Sequence, residues 1–240
     1  MHGTFEVFLD NGQILQRSEF ANGNRHGPSI RYWDGKTPST EEIFKDGLLA
    51  KGKYYDPNGQ LISQITNGNG RRALFGRDCL AEVHEYRNGI PEGEVRIYDP
   101  QKHLVSLFHV KNDIRHGEEV YFYNAHRLDQ KIIPKISVDW YQGKIQGTVK
   151  TWYDNGVQES QKEMSDNKKN GHSTAWYRDG SLMMIEEYDY DDLQRGEYFA
   201  RGEKEPVSTV SHGEGIATIF DAEGTFLRRV NYHKGKPQLE

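Results

Sequence analysis

The chain has 240 residues, a formal charge of −5 and a single cysteine, Cys79. The charge argues against a nucleic-acid backbone as the main target, and the lone cysteine excludes an intrachain disulfide and suits a reducing compartment. Hydrophobic residues make up only 35% of the sequence while aromatics reach 12%, which argues against an ordinary layered core and against a disordered chain, and favours a single-layer repetitive sheet.

From the N-terminus, MHGTFEVFLDNG has neither the basic nor the apolar region of a secretion signal. No apolar run approaches the roughly 18 residues of a spanning helix, so a cytoplasmic protein is expected. A glycine then recurs along the chain at Gly3, Gly27, Gly52, Gly70, Gly93, Gly117, Gly147, Gly171, Gly196 and Gly215. The spacings of 24, 25, 18, 23, 24, 30, 24, 25 and 19 residues are those of a repeat array. Five positions after the glycine stands an aromatic: Phe8, Tyr32, Phe75, Tyr98, Phe122, Trp152, Trp176 and Phe220. The units opened by Gly52 and Gly196 lack it and are the shortest.

Each unit reads as a β-hairpin, with a β-rich first arm such as EVRIY (94–98) and turn residues such as Asp154-Asn155-Gly156. Helical periodicity is never sustained. The fold expected is all-β: an open-ended antiparallel meander of about ten hairpins forming an elongated, twisted and curved single sheet. A strand glycine weakens a strand, so its recurrence suggests that a neighbouring ring lies across the bare backbone.

Residues 1–240 read as one array. The spacings from Gly3 and from Gly147 run in parallel, which suggests halves 3–92 and 147–240 joined by a bridge 93–146; the alternative is that short units simply mark tighter hairpins. The bridge carries an insertion at 124–143, where Pro134 predicts an edge or bulged segment over Ile132–Ile136. A lengthened hairpin and a recognition loop are both open readings of it.

The Gly-x4-aromatic-x3-Gly arms (Gly147/Trp152/Gly156, Gly171/Trp176/Gly180), the closures Tyr86/Gly89/Gly93 and Trp140/Gly143/Gly147, and the His-Gly pairs at His26-Gly27 and His116-Gly117 together resemble MORN repeats. The likeness is to the bacterial variant found in antitoxin-type proteins, and it covers nearly the whole chain. The Tyr-x-Gly start of the standard repeat is absent. The resemblance implies a curved open sheet with a role in interaction.

No catalytic constellation emerges. Cys79 and His84 are five residues apart, an odd strand offset that puts them on opposite faces, so a buried structural cysteine is expected. The ten histidines lack zinc spacing, the glycines do not lead into a helix as a phosphate loop would, and no cofactor or metal is expected. The candidate partner-binding residues are the aromatics Tyr32, Tyr98, Phe122, Trp140, Trp152 and Trp176. To these the acidic run adds Glu186, Glu187, Asp189, Asp191 and Asp192, which suits either a solvated strand end or a basic partner. Trp33, Tyr123, Tyr153 and Tyr177 should point to the opposite face.

The leading expectation is a non-enzymatic module that binds a protein partner, with no nucleic acid bound. In its most concrete form it is an antitoxin, an immunity-type protein or an effector that occludes its target. The alternative is a membrane-associated self-assembling scaffold. A homodimer through open sheet ends is a further expectation.

Overall fold

The computed structural model describes residues 2–77, 79–112, 114–123 and 132–238. Among them every regular element is a strand, as the repeat predicts. The chain forms two compact units, Met1–Ile114 and Arg115–Glu240. The first contains β1 (Gly3–Phe8), β2 (Ile14–Ala21), β3 (Asn24–Tyr32), β4 (Pro38–Lys45), β5 (Leu48–Tyr55), β6 (Leu61–Thr66), β7 (Asn69–Phe75), β8 (Leu80–Arg87), β9 (Ile90–Tyr98) and β10 (Leu104–Lys111). The two-residue β11 (Ile114–Arg115) falls at the division. The second unit contains β12 (Gly117–Phe122), β13 (Pro134–Tyr141), β14 (Lys144–Trp152), β15 (Gln158–Ser165), β16 (Lys168–Trp176), β17 (Leu182–Asp189), β18 (Asp192–Tyr198), β19 (Ser208–Ser211), β20 (Glu214–Phe220), β21 (Phe226–His233) and β22 (Lys236–Pro237). Within each unit consecutive strands pair antiparallel, giving an uninterrupted meander.

Two kinds of turn alternate. Between hairpins stand two-residue turns with both residues at positive φ, such as Asn22-Gly23, Asp46-Gly47 and Asn88-Gly89; their twist suits a right-handed ladder. Inside hairpins the loop is longer and a side chain braces it. Asp34 accepts from the Thr37 amide, Asp179 from Ser181 and Asp221 from Thr225. The aromatic at the fifth position marks a register shift in nearly every hairpin, as at Arg31/Tyr32, Thr151/Trp152 and Ala175/Trp176. Such a bulge bends the strand and re-aims its side chain. Pro134 opens β13, which is paired on both sides, so the expected edge position is corrected; the ladder is irregular where Phe122 meets Pro134. The first part of the predicted insertion, 124–131, lies outside the described residues, as do Leu239 and Glu240.

The opening glycines answer mainly to the backbone. Gly171 has φ +108, and the carboxylate of Glu163 lies over it, accepting the amide of His172 at 2.9 Å. Glu85 treats the amide of Glu94 in the same way at 3.1 Å, and Asp139 that of Thr148 at 2.9 Å. Among the opening glycines whose surroundings are described, the expected ring is found at Gly52 and Gly196, covered by Tyr54 and Tyr198. These are the two short units, whose opening glycines carry no positive φ. At Gly27, Gly93, Gly147 and Gly171 a carboxylate stands where the ring was expected, because a positive φ exposes an amide that needs an acceptor, while Gly70 and Gly215 lie against backbone carbonyls.

At the short units the meander closes on itself locally. In the first unit the Gly68 amide donates to Ala50 O (2.8 Å), Gly89 to Gly68 O (2.9 Å) and Leu49 to Gly89 O (3.1 Å), so three successive turns form a ring. Beneath it lie Phe44, Leu49, Tyr54, Ile65, Ala73 and Tyr86. The second unit repeats the device through Gly213→Gln194, Gly235→Gly213 and Leu193→Gly235, each at 3.0 Å. Its core holds Tyr188, Leu193, Tyr198, Val210 and Ala217.

A methyl at Gly70 (φ +139) would fall on the Gln64 carbonyl, whereas one at Gly59 (φ +77) meets nothing within 4 Å. Urea unfolding should therefore show Gly70→Ala costing about 3 kcal/mol and Gly59→Ala about 1 kcal/mol. The hydrogen bonds to the Thr37 amide, the Ser181 hydroxyl and the Thr225 amide hold Asp34, Asp179 and Asp221 below their ordinary carboxylate value of 3.8. Groups depressed in the folded state stabilise it above their unfolded value and lose that contribution as pH falls through the folded one. The melting temperature should hold down to about pH 5 and fall steadily below about pH 4.

Candidate interaction surface

The face carrying the short-unit cores also carries buried polar centres. In the first unit Glu42 is 5% exposed. It accepts from Tyr54 Oη at 2.9 Å and from Arg72 Nε and Nη2 at 2.7 and 3.1 Å, and Arg72 Nη1 donates to Tyr86 Oη at 3.2 Å. Burial pushes the Tyr54 hydroxyl far above its usual range. Burial also opposes the Arg72 charge, but the bonds to Glu42 and its negative charge outweigh that cost and hold the guanidinium more firmly protonated than usual.

In the second unit Glu186 occupies the corresponding place and accepts from Tyr198 Oη at 2.9 Å and Tyr188 Oη at 3.0 Å. Two residues after the opening glycine, where the first unit has Arg72, this unit has Ala217. The cation here is Lys169, whose ammonium donates to Tyr188 Oη at 3.2 Å and lies 4.3 Å from that ring's centroid. Burial holds Lys169 below its ordinary pKa. A third centre joins Glu119 to Trp140 Nε1 at 2.8 Å and to the Arg115 guanidinium. The raised tyrosines and the carboxylates that their neighbours engage make a buried frame.

The predicted aromatics do not form one exposed row. Tyr32, Tyr98, Phe122, Trp140, Trp152 and Trp176 are each half-buried, and Trp140 is turned toward Glu119. The row that joins repeats is the next position. Tyr123 Oη donates to Trp152 O at 2.7 Å, Tyr153 Oη to Trp176 O at 2.8 Å, Tyr177 Oη to Phe199 O at 2.6 Å, and Trp33 Nε1 to Tyr55 O at 3.1 Å. Each side chain thus reaches one repeat onward. Tyr153 and Tyr177 are buried, and burial raises both hydroxyls to about 12. A polar aromatic directly after the fifth-position ring was the signal for this ladder.

The acidic run is divided by strand alternation. Glu186 points inward and is closed to a partner, which corrects its assignment as a surface group. Glu187 lies on the other face, 3.9 Å from Arg195. Asp191 accepts the Lys169 amide at 2.8 Å and Asp192 pairs with Lys236, while Asp189 is exposed. Cys79 is half-buried and not the buried residue expected; His84 is engaged by Glu82 at 2.6 Å. Among the described residues no three His, Cys, Asp or Glu side chains gather as a metal set.

Over β4 to β6 exposed and buried residues alternate: Glu41, Ile43, Lys51, Lys53, Gln64 and Thr66 are exposed while Glu42, Phe44, Gly52, Tyr54 and Ile65 are buried. The exposed set, with Pro28 and Ile30, borders a groove of about 630 Å³. A second groove of about 370 Å³ adjoins it, sharing Ile30 and reaching Arg17 and Tyr32. Sequence reasoning missed both, because it ranked rings above aliphatic residues.

Arg72→Met leaves Glu42 buried without its main counter-charge and should cost about 3–5 kcal/mol in urea unfolding. Adding Glu42→Gln should restore much of that loss, the signature of a coupled pair.

Among solved structures the chain is similar, at 11% identity and a TM-score of 0.27, to a chain of "Crystal Structure of TcdB2-TccC3", covering 98% of this chain and 16% of that one. It is also similar to a chain of "Crystal Structure of TcdB2-TccC3-Cdc42", at 12% identity and a TM-score of 0.24, over 92% of this chain and 15% of that one. The chain therefore spans only a small part of those structures. No curated protein matches it. Residues 1–22, which include β1, and 49–66, which cover most of β5 and all of β6, match the family described as MORN repeat variant. Over these two segments the chain carries MORN repeats of the variant kind.

Proposed function

We propose that the protein is a non-catalytic interaction module whose ligand is another protein, in its most concrete form an antitoxin-type or immunity-type protein or an effector that occludes its target. The observation that supports this reading is the division of labour between the faces of β3 to β6. One face is closed over Phe44, Tyr54 and the Glu42–Arg72 pair, so its side chains are committed to the frame. The other presents exposed aliphatic and charged residues around a groove, the combination that protein surfaces use for recognition. The occupied carboxylates and high-pKa tyrosines offer no acid–base pair that would favour an enzyme.

Affinity capture with the purified chain, followed by crosslinking and mass determination of the complex, is expected to return one protein in fixed stoichiometry. Flotation of the chain with phosphatidylserine vesicles, and no protein captured, would instead support a membrane scaffold and remove this reading.

A further inference from the structure

The outer face of β3 to β6 carries a charge imbalance that the fold does not use. Lys51 and Lys53 are exposed on β5, and among the described residues neither has an ion-pair partner. Lys53 stands opposite Glu41 in register; Glu41 also accepts from Tyr55 Oη at 2.8 Å and keeps its charge, so the groove sets two ammonium groups against one exposed carboxylate. The groove's other carboxylate, Glu42, points to the far face and is held by Arg72 and Tyr54. Two ammonium groups therefore rim an aliphatic floor. Ile43 is 47% exposed there and Ile30 is half-buried beside it. Ile30 also lines the adjoining groove, where Arg17 and Tyr32 continue the same chemistry, with Arg17 already paired to Glu6 at 3.0 Å.

The face also carries its own comparison. In the second unit, 144 residues on, Ile43 is replaced by Glu187 and Lys53 by Glu197, while Arg195 takes the place of Lys51. The frame beneath is kept, since Glu42, Gly52 and Tyr54 recur as Glu186, Gly196 and Tyr198. The buried network therefore does not require an exposed isoleucine between two lysines.

We propose that this groove of the first unit binds an extended protein segment in which aliphatic side chains are flanked by carboxylates. The aliphatic groups enter against Ile30 and Ile43, and the carboxylates meet Lys51 and Lys53, whose apolar stems wall the groove. This assignment rests on the protein-interaction reading above and names the chemistry of its partner.

The test uses the full chain and two fluorescein-labelled peptides, one alternating valine and glutamate and one alternating valine and lysine, read by anisotropy at low and physiological salt. The glutamate peptide should bind and the lysine peptide should not, and salt should weaken the complex. Lys51→Glu with Lys53→Glu should weaken binding at least about tenfold and transfer the preference to the lysine peptide. Lys51→Gln with Lys53→Gln, which keeps the size and removes the charge, should fall between. Ile43→Asp should abolish binding while leaving the thermal transition in place, since Ile43 lies outside the core. Equal binding of both peptides, no binding, or binding indifferent to the lysine changes would overturn the proposal. So would self-association in sedimentation, or adsorption to phosphatidylserine vesicles, that disappears in the charge-reversed protein; these would assign the groove to a second copy or to a membrane. A captured protein that binds the charge-reversed chain unchanged removes the groove but leaves the interaction reading intact. Capture of no protein at all removes both.

Discussion

A sheet with no second layer must find its buried volume within itself, and the short units are where this chain does so. Gly52 and Gly196 leave a bare backbone over which Tyr54 and Tyr198 fold, and each ring ends on a carboxylate held away from water. The ring of amide bonds through Leu49, Gly68 and Gly89 draws three turns together above that core. Removing the side-chain volume at the glycine, shortening the hairpin and placing a tyrosine two residues later are one device. The aromatic missing at the fifth position in these units has in effect moved to the second, where curvature can bury it.

That device decides what each face is free to do. Buried carboxylates are costly unless paired and hydrogen-bonded, so in each unit the face that holds them, Glu42 in the first and Glu119 and Glu186 in the second, is committed to satisfying them. Two solutions are seen. Glu42 has an arginine fork, a geometry that matches a carboxylate closely. Glu186 is held by two tyrosine hydroxyls, with Lys169 reaching it through Tyr188. The strands of the first unit are then free to vary on their other side, and there they carry uncommitted lysines and an exposed isoleucine.

Much of this was legible in the sequence because its signals are local. Glycine spacing, Asn-Gly turns and the alternation of Glu41 to Phe44 report backbone geometry directly, and the antiparallel meander follows from them. The fifth-position aromatics were legible as a pattern, but not which residue joins the repeats. Their bulge re-aims them, and the following residue, as at Tyr153 and Tyr177, makes the joint. The role of the glycines was misassigned for a related reason. A positive φ creates an unpaired amide whose acceptor, Glu85, Asp139 or Glu163, stands eight residues before the glycine on the neighbouring strand. The offset of eight is constant, but without knowing that the glycine takes a positive φ nothing marks it as a hydrogen-bonding distance. The grooves were harder still to read, since they arise from the bending of β3 to β6 and not from any residue type.

The two kinds of turn give the molecule unequal ends. Turns such as Asn67-Gly68 and Asn88-Gly89 are two residues long and locked to one another, so an added residue there would open the amide ring. The loop braced by Asp34 belongs to no such ring, and the one at Asp221 accepts a single amide from a neighbouring loop, Arg178 N–H to Ala222 O at 3.2 Å. Length variation, tags and grafted segments are therefore channelled to the aspartate-braced rim.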